Sequence, residues 1–294
     1  MSFSCTLHPV DPRVIRELRQ GIKAEREDWS FLLRLWRQKQ LINRVNQPFK
    51  HCLQELFTGH PEFRVALYLW GRPFFLQSDD PNRINQGIAS LYGMNKETEI
   101  FDFFLAELTR LTGDSPTKQL SIKFQRHKEP DLGINQVMER LRLAYKNRSY
   151  QELGMDLGFV LAQLVGVAYP YWHLGSYGLS FLEELRIPGW ENQPAGLQAH
   201  FSEFEAFVPY IPQNLERNLS AGIYLDPEEV RELAALIAAE EPVILYRMAQ
   251  KQLALDSARL LLQKTREALA YAEEYRFGLM EASDIYERKP PPFP

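Results

Sequence analysis

The stretch AGIYLDPEEVRELAALIAA, Ala221 to Ala239, decides how the chain is expected to fold. Ala221 to Leu225 reads as a strand, and Asp226-Pro227 opens a helix behind it. Aspartate accepts from backbone N–H groups that a helix start leaves open, and proline has no N–H to satisfy at the first helical position. Glu229, three residues after Asp226, completes a capping pair. This helix is expected to run to about Ala239. After Pro242 a longer helix is expected to reach roughly Tyr275, because proline breaks the ladder of backbone bonds. Leu255, Ala258, Leu262, Thr265, Leu269 and Ala272 form the stripe predicted to face its core. Phe277 to Tyr286 reads as a closing strand.

The same grammar occurs near the N-terminus. Phe3 to Val10 reads as a short strand, Asp11-Pro12 starts a helix, and Gly21 is expected to end it. DPRVIREL at Asp11 to Leu18 and DPEEVREL at Asp226 to Leu233 share five of eight residues in register. The simpler account is that good helix starts resemble each other; the alternative is that two strand-to-helix units flank one sheet.

Between these ends the pattern is mostly helical. Glu25 to Phe57 carries Trp29, Leu32, Leu33 and Trp36 at three-to-four spacing, with a break or kink expected at Pro48 and a stop at Gly59-His60-Pro61. Arg64 to Gln77 is ambiguous. Asn95 to Thr112 is the clearest helix, with Phe101, Phe104, Leu105, Leu108 and Leu111 on one stripe, Asn95 as its cap and Gly113 closing it. A long loop is expected from Gly113 to Gly133. Helices resume near Ile134 and after Ser149, where Ser149 and Glu152 make a capping box. Ala168 to Pro212 is rich in proline and aromatics and reads as short helices joined by ordered loops. The expected fold class is therefore α+β, predominantly α-helical with a small peripheral sheet. One domain is expected over 1–287, followed by a proline-rich tail at 288–294.

Composition narrows the function classes. Of 294 residues, 45% are hydrophobic and 24% charged, which suits a packed core rather than disorder. The formal charge of −4, with Lys and Arg scattered among acids, argues against a nucleic-acid partner. Arg34 to Lys39, the most basic short stretch, reads as a solvated helix face. Cys5 and Cys52 are too few for a disulfide framework or a zinc site, and a reducing cytoplasm is expected. The first residues do not read as a signal peptide, and no apolar run approaches a membrane span. Neither a metal nor another cofactor is implied: no His-Glu-x-x-His, paired Cys-x-x-Cys or glycine-rich phosphate cradle occurs. The paired acids Asp79-Asp80, Glu183-Glu184, Glu228-Glu229 and Glu240-Glu241 read as caps and solvated faces.

Several segments, LQELFTG at Leu53 to Gly59, LWGRPF at Leu69 to Phe74, GIYLDPEEVRELAALI at Gly222 to Ile237 and GLMEASDIYE at Gly278 to Glu287, resemble in their order the uncharacterised bacterial YfbM-like family. The resemblance implies a small sheet with packed helices and a bacterial cytoplasmic setting. It carries no activity and no site residues.

The densest candidate for chemistry is Tyr169-Pro170-Tyr171-Trp172-His173-Leu174-Gly175-Ser176-Tyr177-Gly178. Tyr169, Tyr171, Trp172 and Tyr177 offer flat faces for a planar ligand, while His173 and Ser176 offer hydrogen bonds. The alternative is an aromatic core loop with bonded polar tips. Arg72, between aromatics on a turn, offers a bidentate donor for an anion or an interior ion pair. The expected function is a non-catalytic binding or accessory role, of immunity type for instance, recognising a protein or a small ligand. The rival is a hydrolase or transferase with a dispersed site around His173.

Overall fold

Both Asp-Pro steps lead out of a strand and into a helix. The computed structural model describes residues 5–23, 30–56, 86–87, 89–91, 93–113, 134–149, 160–161, 164–165, 170–175, 178–179, 182, 185 and 221–283. In chain order these form β1 (Cys5–Val10), α1 (Pro12–Lys23), α2 (Ser30–Leu56), α3 (Glu97–Thr112), α4 (Ile134–Lys146) and β2 (Trp172–Gly175). They continue with β3 (Ala221–Leu225), α5 (Pro227–Gln250), α6 (Leu255–Tyr275) and β4 (Gly278–Ser283). The described chain is predominantly helical with a small four-stranded sheet, the α+β class expected. Strand order is β2-β1-β4-β3 and every neighbouring pair is antiparallel.

The two related units stand on either side of β4. β1 pairs with it from Cys5↔Ser283 to Val10↔Gly278, and β3 pairs with it at Tyr224↔Met280 and Leu225↔Leu279. Alternate residues of a strand face opposite sides, so each strand serves two cores. Leu7, Leu225 and Leu279 join Val230, Leu233, Leu262 and Leu269 of α5 and α6. Val10, Tyr224, Met280 and Ala282 join Val14, Ile15 and Leu18 of α1. A third cluster links α2 to α3, with Phe49 edge-on to Phe104 at 5.4 Å and 88°.

Local chemistry accounts for the well-placed ends. Asp226 accepts from the Glu228 and Glu229 N–H groups, and Glu229 returns a bond to the Asp226 N–H at 2.8 Å. Asp11 caps α1 through the Arg13 N–H at 2.9 Å. Gly113 closes α3 in the left-handed region at φ 70°.

Other boundaries lie elsewhere than the sequence suggests. Gly21 does not end α1; it is buried inside the helix, and its carbonyl accepts from Arg142 Nε at 2.7 Å. Helix α2 runs through Pro48 without a break. Asn95 does not cap α3, whose N-cap is Lys96 with no side-chain bond; Asn95 instead gives its N–H to Glu99. Pro242 does not divide α5, which continues to Gln250. Pro242 and Ala238 are both exposed, so water reaches the carbonyl that the missing N–H leaves open. The true break follows Lys251. Leu253 N–H bonds the Met248 carbonyl, Gln252 N–H bonds that of Ala249, and Gln252 is left-handed at φ 64°. That pattern is a Schellman stop, in which Met248 and Leu253 also meet in the core. Leu255 then starts α6 half-exposed, at 48%, rather than facing inward.

Candidate functional site

From Trp172 to Gly175 the aromatic run is strand rather than loop. β2 forms one edge of the sheet, and Leu7↔Trp172 and Thr6↔His173 are its register partners on β1. That register explains the alternation of its side chains. Trp172 and Leu174 join the α5–α6 core, while His173, opposite Thr6, belongs to the other face.

Tyr171 and Trp172 are 2% and 3% exposed, so their rings are occupied by packing. Tyr171 stacks on His8, with centroids 5.6 Å apart at 29°, and lies among the α2–α3 cluster. His8 is itself buried and shares a 2.9 Å hydrogen bond with Thr6 Oγ1. Trp172 Nε1 donates to Glu267 Oε2 at 3.2 Å, and its ring meets Tyr271 at 5.7 Å. Burial, and to a smaller degree the nearby Tyr275 and Glu274 charges, raise the Tyr271 phenol above its ordinary range. His173 is half-buried, and its carbonyl accepts from Lys264 Nζ at 2.9 Å. Tyr169, Ser176, Tyr177 and Arg72 lie outside the described residues. The structure thus brings Tyr171, just before β2, and Trp172 and His173, on β2, together in sequence, with the Tyr171 and Trp172 rings committed to different cores.

Three features escaped the sequence reading. Glu281 on β4 is fully buried and accepts the Leu179 N–H at 2.7 Å, beyond the end of β2. Gly178 packs against this carboxylate so closely that a Cβ there would meet its Oε1 at 2.1 Å. Glu281 therefore ties the chain after β2 to the strand two positions away in the sheet. Second, α2 buries Lys39, Asn46 and Lys50, at 4%, 0% and 0%. The solvated face expected from Arg34 to Lys39 holds for Arg34 and Arg37 but not for Lys39. The spacing of Lys39, Asn43, Asn46 and Lys50 marks one helical flank, a signal that sequence alone assigns to solvent.

The third feature is an open groove of about 710 Å³ along α4, lined by Asn135, Gln136, Glu139, Arg140, Leu143, Ala144 and Asn147. All seven lie on one side of the helix, which buries Met138 and Leu141 against α1 with its other side. Leu143, one of the lining residues, is 49% exposed. Amide side chains, a guanidinium and a carboxylate surround that apolar spot. The groove has no aromatic signature, so composition could not have singled it out.

Among the described residues no three His, Cys, Asp or Glu side chains gather as metal ligands. No described helix is long and apolar enough to cross a membrane. No family model, curated protein or solved structure matches the chain.

Proposed function

We propose that this chain is a non-catalytic cytoplasmic binding protein that holds a segment of a partner protein in the groove along α4. The observation that carries the reading is the groove itself, an open cleft of about 710 Å³ whose lining pairs one half-exposed leucine with polar groups. Its volume falls in the range of about 300 to 1,000 Å³ typical of binding clefts. Asn135, Gln136 and Asn147 can each donate to and accept from a peptide backbone, which makes an extended segment a chemical match. Arg140 brings a guanidinium to the lining, and Glu139 a carboxylate that stands 3.9 Å from Arg142 Nη1. Leu143 supplies the apolar contact, and being half-exposed it is available to a partner. Such a surface recognises without transforming: it contributes orientation and affinity and needs no nucleophile.

Site-specific photocrosslinking tests the proposal. A photoreactive residue placed at Gln136 or Leu143 should capture a partner segment from the native host, whereas one at Leu260, exposed on α6, should not. A synthetic peptide of the captured segment should then bind in fluorescence anisotropy. Leu143→Asp and Arg140→Ala should each weaken that binding at least about tenfold, the loss of one good contact. Equal capture from Leu260, or unchanged affinity in both variants, rejects the groove as the binding surface.

A further inference from the structure

A row of aromatic rings runs along one flank of α6 and past its end. The Tyr271 and Tyr275 centroids are 4.5 Å apart, and Tyr275 stands 6.1 Å from Phe277, the residue before β4. Tyr275 is 51% exposed, while Tyr271 and Phe277 are half-buried, so the ridge has a core side and an open side. Neither tyrosine hydroxyl takes part in a hydrogen bond among the described residues, so both remain as donors. Burial first, then the neighbouring Tyr275 and Glu274, hold the Tyr271 phenol above its ordinary range, which keeps its proton in place. Glu267, one turn before Tyr271 on the same flank, adds a half-buried carboxylate.

We propose that this ridge binds residues 288–294 of the same chain, RKPPPFP, which lie outside the described residues. The chemistry of the two sides matches. A run so rich in proline favours the polyproline helix, with three residues per turn and a rise of about 3.1 Å. Arg288, Pro291 and Pro294 then share one edge, at steps of about 9 Å. Proline rings pack on aromatic faces, and the unpaired carbonyls of such a segment accept from tyrosine hydroxyls. Reach agrees as well. Trp172 is level with Leu7, and Leu7 with Glu281, so Tyr271, whose ring meets Trp172, stands two strands across from Glu281. Ser283 is about 7 Å along the sheet from that level and about 10 Å across it. The eight residues from Ser283 to Pro291 span up to about 26 Å, enough to climb to the helix layer. Direction is a separate constraint. Lys264, before Glu267 on α6, bonds the carbonyl of His173, which is level with Thr6 and so with Ala282. Helix α6 therefore runs from the Ser283 end of β4 towards its Gly278 end. A chain returning from Ser283 meets Glu267 first and the rings afterwards, and it carries Arg288 ahead of its prolines.

A chain ending at Glu287 and a labelled peptide of residues 286–294 test this by fluorescence anisotropy. The peptide should bind the shortened chain, and bind the full chain at least about tenfold more weakly, because the attached segment competes at a millimolar effective concentration. Tyr275→Ala in the shortened chain should weaken binding at least about tenfold. Tyr275→Phe, which keeps the ring and loses the donor, should weaken it about threefold. Pro291→Ala and Pro294→Ala in the peptide should each weaken it about tenfold without touching the protein's fold. In the full chain, a photoreactive phenylalanine at Phe293 should crosslink within one chain to the stretch from Glu267 to Phe277, at a yield independent of protein concentration. Absence of binding to the shortened chain overturns the proposal, as does equal binding by Tyr275→Ala or by both proline variants. Crosslinks between chains, or to another part of the same chain, overturn it too. None of these results bears on the α4 groove, which crosslinking from Gln136 and Leu143 tests separately.

Discussion

Replacing Gly278 with alanine should cost about 2 to 3 kcal/mol of stability, through overpacking and a disturbed ladder bond. Gly278 begins β4 beside the end of β3. A Cβ at this position would lie 2.5 Å from Tyr224 Oη, 2.6 Å from Tyr224 Cε2 and 2.6 Å from the Leu225 carbonyl oxygen. Comfortable contacts begin near 3.5 Å, so something must yield by about 1 Å. The tyrosine ring is 6% exposed and hemmed in, and the carbonyl belongs to the backbone at Leu225↔Leu279. Overpacking of this kind costs about 1 to 3 kcal/mol. Weakening one ladder bond adds about 1 kcal/mol. Stiffening the unfolded chain by losing a glycine returns about 0.4 to 1 kcal/mol. Urea unfolding followed by circular dichroism reads the difference as a lower midpoint at unchanged slope. Gly93→Ala is the control, because nothing lies within 4 Å of a Cβ there, and it should stay within about 0.5 kcal/mol of the parent. Tyr224→Phe should recover only part of the Gly278→Ala loss, since the backbone contact remains. If Gly278→Ala matched the control, the tight β3–β4 approach would be refuted.

Three other outcomes follow from the same geometry. Arg276 ends α6 in the left-handed region at φ 54°, a conformation that costs a side-chain-bearing residue about 1 kcal/mol, so Arg276→Gly should raise the melting temperature by a few degrees. Burial raises the Asp11 carboxyl, but the hydrogen bonds and charge of Arg13 outweigh that and hold it below its ordinary range. Its contribution is thus complete above the unfolded value near about 3.9 and is lost as pH falls through the lower folded value, so Asp11→Asn should flatten the acid limb of a stability-versus-pH curve. Glu281→Ala should cost about 2 to 4 kcal/mol by leaving the buried Leu179 N–H without its acceptor, and Glu281→Gln, which keeps an acceptor, should cost clearly less in the same urea assay.

What could be read in the sequence was whatever local chemistry decides. Asp11, Asp226 and Glu229 act on neighbours two or three residues away, so their helix starts were visible. Gly113 closed α3 as expected for the same reason. The α5–α6 boundary was hidden because Gln252, an ordinary residue, takes the position that glycine usually marks, and the Met248–Leu253 contact sustains it. Pro242 looked decisive, yet α5 carries it on an exposed face and continues to Gln250. Strand β2 was unreadable because its hydrogen bonds go to β1, far away in the chain. The aromatic run stands out in the sequence, but residue type does not say which rings a sheet will bury. Tyr171 and Trp172 are buried, while the α4 groove is made of residues that look like any solvated helix.

The position of β4 has a consequence for how the chain is made. β1 is the first described strand and β4 the last, yet they are neighbours, and β4 is also the partner of β3. During synthesis β1 must therefore wait, without its principal partner, until residues 278–283 have left the ribosome. Contacts of such sequence separation slow folding and prolong the exposure of unpaired strand edges. A nascent chain stalled before Gly278 holds two capped helices, each led by a strand, with nothing between the strands to join them. β4 closes the described sheet from its middle, so emergence of its six residues joins the two strand-to-helix units into one sheet.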